Sequence, residues 1–134
     1  DKINKDGGRF HMTKEEKEQL LAEFYAAKKD GGVLLGVNGA NFAEGVDFPG
    51  DMCRSVVFTK YPNPNTQDIF WKILKQQHPG SYWDYYQDKA RREFLQRIYR
   101  AVRSPTDHVF VLSPDVRVLQ AVRVLQEEMI KERH

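Results

Sequence analysis

Three short, continuous apolar runs rich in β-branched residues constrain the fold more than any other feature of this chain. They are Val33 to Val37, Ser55 to Thr59 and His108 to Leu112. Continuous rather than alternating apolar runs are the pattern of strands covered on both faces, as in a parallel sheet. Segments of helical period separate them. TKEEKEQLLAEFYAAKKD opens on a capping box, Thr13 to Glu16, places Leu20, Leu21, Phe24 and Tyr25 on one side, and stops at Gly31-Gly32. Further helices are expected over Thr66 to Gln77 and Ser81 to Val102, the latter broken, and a last one from an N-cap at Ser113-Pro114-Asp115. Strands alternating with helices give an α/β domain with a mainly parallel sheet.

A length of 134 residues suits one compact domain. Three strands are fewer than the about four to six of a usual sheet. The polar opening DKINKDGGRF reads as a flexible arm over residues 1–12, so the expectation is a sheet incomplete at its N-terminal side. Such a fragment could pair through its exposed strand edge into a homodimer. No stretch approaches the roughly 20 apolar residues of a membrane span, so no membrane partner is expected. The single cysteine, Cys53, excludes a disulfide within the chain and any cysteine-based zinc or iron–sulfur site; no metal site is expected here. A net charge of +2 permits nucleic-acid binding without arguing for it.

Ligands of open parallel sheets bind beyond the carboxyl ends of the strands. The loop after the first run, Asn38 to Gly50, is 13 residues long, against about 2–6 in most such connections. Its glycines allow backbone N–H groups to approach a phosphate, and Asp47 can meet a sugar hydroxyl or an arginine; a plain long connection is the bland alternative. Tyr61, after the second run, can stack on a base or simply pack. Tyr82, Trp83, Tyr85 and Tyr86, followed by Arg91 and Arg92, have the make-up of a single-strand platform, though core packing is the more common use of such a cluster.

QRIYRAVRSP carries the sharpest signal. On a helical wheel Leu95, Ile98, Tyr99 and Val102 form an apolar face, and Gln96, Arg100 and Arg103 form a stripe beside it, with Arg97 turned toward solvent. Cations one turn apart repel unless an anion lies between them. A phosphate fits the guanidinium fork; carboxylates such as Glu93 are the alternative.

These two sites in this order resemble motifs V and VI of superfamily 2 DNA helicases of the XPD/DinG group. Gly39 to Phe48 matches the Gly-rich loop G-x-F/V-x-E-G-I/V-D-F, with Phe42, Glu44, Gly45, Asp47 and Phe48 in place. Gln96, Arg100 and Arg103 match Q-x-x-G-R-x-x-R, with Tyr99 where the family has glycine. The resemblance covers about residues 13–120 and implies a RecA-like, P-loop NTPase-type fold. Residues 33–50 would hold motif V and residues 96–103 motif VI of a partial second motor domain. No GxxxxGK[ST] or DEAH box occurs in the chain. ATP and Mg²⁺ would be held mainly by the first motor domain, and an iron–sulfur cluster is conceivable in the parent protein alone.

By the same resemblance, Arg100 and Arg103 would be arginine fingers. Gln96, Glu44, Gly45 and Asp47 would line the ATP site. Gly39, Asn41 and Phe42, with Tyr61, would meet single-stranded DNA. Polarity would be 5′ to 3′, in the cytoplasm, or in the nucleus of a eukaryote. The alternatives are a non-catalytic nucleic-acid-binding or scaffold module on the same fold, and a free-standing small phosphate-binding protein.

Overall fold

The computed structural model describes residues 13–27, 30–36, 48, 50–104 and 106–132, and divides into two units, residues 1–46 and 47–134. In the first unit, helix α1 spans Lys14–Ala26. Its capping box forms: Glu16 N–H donates to Thr13 Oγ1 at 3.1 Å, and Thr13 N–H donates to Glu16 Oε2 at 3.0 Å. The helix stops at Ala26, ahead of the glycine pair, and Gly31 turns the chain at φ +82°, where a side chain would be strained.

The strand expected over Val33 to Val37 is not found in its described part. Residues 33–36 belong to no strand, and Val33 and Leu35 are 86% and 84% exposed. A parallel strand exists only through its ladder to a neighbour, which an apolar run does not provide by itself. Val37 lies outside the described residues.

The second unit is a β–α–α–β–α succession. Strands β1 (Ser55–Val57) and β2 (Phe110–Leu112) are parallel, with Ser55, Val56 and Val57 facing Phe110, Val111 and Leu112 in register. Phe110 N–H to Arg54 O and Phe58 N–H to Leu112 O, each 2.9 Å, extend the ladder by one bond at either end. The chain returns from β1 to β2 through helices α2 (Ile69–Gln77) and α3 (Tyr82–Ala101), and helix α4 (Val116–Glu132) follows. A parallel pair needs such a crossover. α3 runs unbroken for 20 residues, where an interruption was expected. Nothing in its sequence is a helix breaker, and its inward residues recur at helical spacing.

The core lies on one face of the sheet. Phe58, Phe94, Ile98 and Val118 are buried together, with Val56 and Val111 packed against them. Val57, Phe110 and Leu112 face the other way and are exposed, so β1 and β2 are covered on one face among the described residues, not on both. A second cluster joins α2 to the start of α3. Trp71, Leu74 and Tyr82 are buried, and Tyr82 and Tyr86 meet the Trp71 ring edge-on at 5.9 and 5.8 Å. The aromatic run therefore divides by helical phase. Tyr82 and Tyr86, one turn apart, serve the core, while Trp83 and Tyr85 are exposed.

The start of α4 differs from expectation by two residues. Asp115, not Ser113, is the cap: its Oδ1 accepts the N–H of Arg117 at 3.0 Å. Ser113 instead ties the two strand exits together. Its Oγ donates to Phe58 O at 2.6 Å and accepts from Asp115 N–H at 3.0 Å.

Candidate functional site

The burial of α3 decides which of its edges is available. Ala90, Phe94, Ile98 and Ala101 are buried at spacings of four, four and three, with Leu95 and Val102 half-buried beside them. Gln96 is exposed and Arg100 is half-buried beside the core stripe, as the wheel predicts, but Arg103, also exposed, lies beyond the helix, which ends at Ala101 with Val102 extended, so the wheel does not place it.

Two neighbours are placed differently. Tyr99 is 42% exposed and contributes nothing to the buried cluster, because the true stripe is narrower and centred on Phe94 and Ile98. Arg97 is not solvated: its side chain is 14% exposed and bonds the Glu93 carboxylate at 3.0 Å. Lys89 takes the other oxygen of Glu93, also at 3.0 Å. The carboxylate expected as an alternative partner for the stripe is thus engaged by Lys89 and Arg97.

The carbonyl groups of the last helical turn have no partner within the helix. At the end of α3, Val102 N–H closes on Ile98 O at 3.1 Å, and Arg100 O accepts the N–H of Phe48 at 2.9 Å. Phe48 is the last residue of the Gly-rich motif, and Arg100 is the first arginine of the second motif. The two motifs therefore meet through a backbone hydrogen bond across 52 positions of sequence. The next element after this end of α3 is β2.

Past the helix, Asp107 Oδ2 accepts the N–H groups of Arg103 and Ser104 at 2.7 and 2.8 Å. These bonds hold the Asp107 carboxyl below its ordinary range, the Arg103 N–H contributing most. Sequence reasoning missed Asp107. The available signal was an aspartate three residues after a serine in a turn, a pattern that commonly closes on backbone N–H groups.

Tyr61 does not stand out as a free stacking platform. It is half-buried, its ring packs on Phe94 at 5.7 Å, and its N–H donates to Asp115 Oδ2 at 2.9 Å. Burial raises the pKa of its phenol. The arginines after the aromatic run are engaged with carboxylates: Arg91 with Glu128 at 2.8 Å across α3 and α4, and Arg92 with Asp88 at 2.8 Å. Gly39, Asn41, Phe42, Glu44, Gly45 and Asp47 lie outside the described residues. Among the described residues, no group of three or more His, Cys, Asp or Glu could hold a metal ion, and no helix is long and apolar enough to cross a membrane.

A sequence profile of helicase C-terminal domains matches residues 2–133. The chain belongs to the helicase C-terminal domain family. This helicase C-terminal domain is 30% identical over 110 residues to the Fanconi anemia group J protein homolog of Gallus gallus, covering 71% of this chain and 9% of that protein. It is 31% identical over 127 residues to the ATP-dependent DNA helicase CHL1 of Eremothecium gossypii, covering 81% of this chain and 16% of that protein. With the CHL1 helicase of Candida glabrata it shares 28% identity over 138 residues, 90% of this chain and 16% of that protein. The chain thus spans less than a fifth of the length of these relatives. Its mixed α/β architecture around a small parallel sheet is that of a RecA-like helicase domain.

Proposed function

We propose that this domain is the second motor domain, in part, of an ATP-dependent 5′–3′ DNA helicase, and that it acts from across an interdomain cleft. Arg100 and Arg103 serve as arginine fingers. Phosphoryl transfer spreads negative charge over the γ-phosphate oxygens, and a guanidinium placed there stabilises that charge by several orders of magnitude in rate. Gln96 orients the same edge, and Glu44, Gly45 and Asp47 approach the nucleotide from the motif V loop. Gly39, Asn41 and Phe42 hold the backbone of a single DNA strand, so that closing on ATP moves it. ATP and Mg²⁺ are held mainly by the first motor domain; an iron–sulfur cluster, if the parent has one, belongs there too.

The observation that carries this reading is the bond from Phe48 N–H to Arg100 O. It couples the loop proposed to touch DNA and sugar to the helix proposed to touch phosphate. The relatives named as ATP-dependent DNA helicases support it. Tyr99 favours a second reading, a scaffold that has kept the fold and lost the motor, because a bulky ring stands where the family has glycine. Its exposure supports the motor, since the ring occupies surface beside Arg100 and leaves the core stripe undisturbed.

The test is made in the full-length parent. Arg100→Ala and Arg103→Ala are each expected to abolish DNA-stimulated ATP turnover while sparing single-strand binding. Normal turnover in both variants rejects the finger assignment. The 134-residue chain alone, without a phosphate loop, is expected to release no phosphate from ATP.

A further inference from the structure

The three residues of the proposed phosphate edge are not held in the same way. Gln96 and Arg100 stand on α3, whose ladder sets their backbone. Arg103 lies two residues beyond the last helical residue, Ala101, and the final helical bond is the one made by Val102 N–H. Its side chain is exposed. Past the helix no ladder sets the backbone at Arg103, and a group that must meet a transferring phosphoryl needs its backbone fixed.

The backbone at Arg103 is nevertheless held, by a side chain. Asp107 Oδ2 receives the N–H of Arg103 at 2.7 Å and that of Ser104 at 2.8 Å. Asp107 N–H donates to Ser104 O at 3.1 Å, which closes the turn on itself. Ser104 Oγ and Thr106 Oγ1 lie 2.9 Å apart, and His108 Nδ1 meets Thr106 O at 2.7 Å. One ionised oxygen therefore gathers two consecutive N–H groups. Charge-assisted bonds of this length are roughly twice as strong as neutral ones.

We infer that Asp107 is a positioning residue for Arg103: its carboxylate takes over from the helix where α3 ends, and so fixes the spacing between the two guanidiniums. This rests on the finger reading of Arg103 given above. A displacement of about 1 Å in such a group costs up to about a hundredfold in rate.

The test compares three variants of the full-length helicase. Arg103→Ala sets the loss expected when the finger is missing. Asp107→Ala is expected to lower kcat for ATP by about tenfold to a hundredfold, with KM for ATP, single-strand affinity and melting temperature close to wild type. Asp107→Asn, whose amide oxygen can accept the same two N–H groups, is expected to recover most of the lost turnover. If Arg103→Ala turns over normally, the finger reading fails and this inference falls with it. If Arg103→Ala is defective but Asp107→Ala is not, the finger stands and the positioning role is rejected. Equal loss in the alanine and asparagine variants, or a loss carried by KM or by unfolding, also overturns it.

Discussion

Phe48 donates its backbone N–H to the carbonyl oxygen of Arg100 at 2.9 Å. This bond uses a carbonyl of the last helical turn, which lies past the reach of the helix's own ladder, to join two segments that are remote in sequence. Any side chain at position 48 can make it except proline, which has no N–H. Phe48→Pro is therefore expected to destabilise the second unit by about 1 kcal/mol or more and to reduce turnover in the parent helicase. Phe48→Leu keeps the donor and should restore the coupling. Urea melts and ATPase rates of the two variants check this, and identical behaviour of both would remove the bond from the account.

Arg97 sits in the same arginine-rich stretch but does different work. Its guanidinium is largely covered and bonded to Glu93 at 3.0 Å. Arg97→Ala should cost about 1 kcal/mol of stability and leave turnover per folded molecule unchanged, the reverse of the pattern expected for Arg100→Ala. A turnover defect in Arg97→Ala with an unaltered melt would contradict this division.

Acid should loosen the tie between β1 and α4. The Asp115 carboxyl is held well below the ordinary carboxylate range, first by the Arg117 guanidinium and then by Tyr61 N–H. A carboxyl whose folded pKa is depressed adds stability that is complete above its unfolded value, near pH 4, and is lost as pH falls toward the folded value. The urea midpoint is thus expected to drop between about pH 4 and pH 2.5, and to drop less in Asp115→Asn. A wild-type midpoint that is flat over that interval would count against the tie.

Burial separates two aromatics of α3 that composition treats alike. Phe94 is 1% exposed and sits between Phe58 and Tyr61, at ring distances of 5.3 and 5.7 Å. Phe94→Ala should cost about 3–5 kcal/mol and leave this domain largely unfolded. Trp83, 63% exposed, should tolerate alanine to within about 0.5 kcal/mol. Comparing the two chemical melts decides the matter.

Much of this protein was legible in one dimension. The α/β class, the capping box at Thr13, the four helices and the two paired strands follow from period and punctuation, which are local properties of a chain. So does the part of the edge formed by Gln96 and Arg100, because helical geometry is the same wherever a helix forms; Arg103, past the end of α3, is held by Asp107. What the sequence left open depended on partners distant in the chain. Whether Val33 to Gly36 made a ladder and which phase of α3 was covered are questions of what packs against what. The same holds for Ser113, which reads as a cap and acts as a tie to Phe58, 55 residues away. The meeting of Phe48 with Arg100 belongs to this second kind. Two motifs can be recognised separately by their resemblance to a family, but only the fold brings the backbone donor of one to the carbonyl of the other.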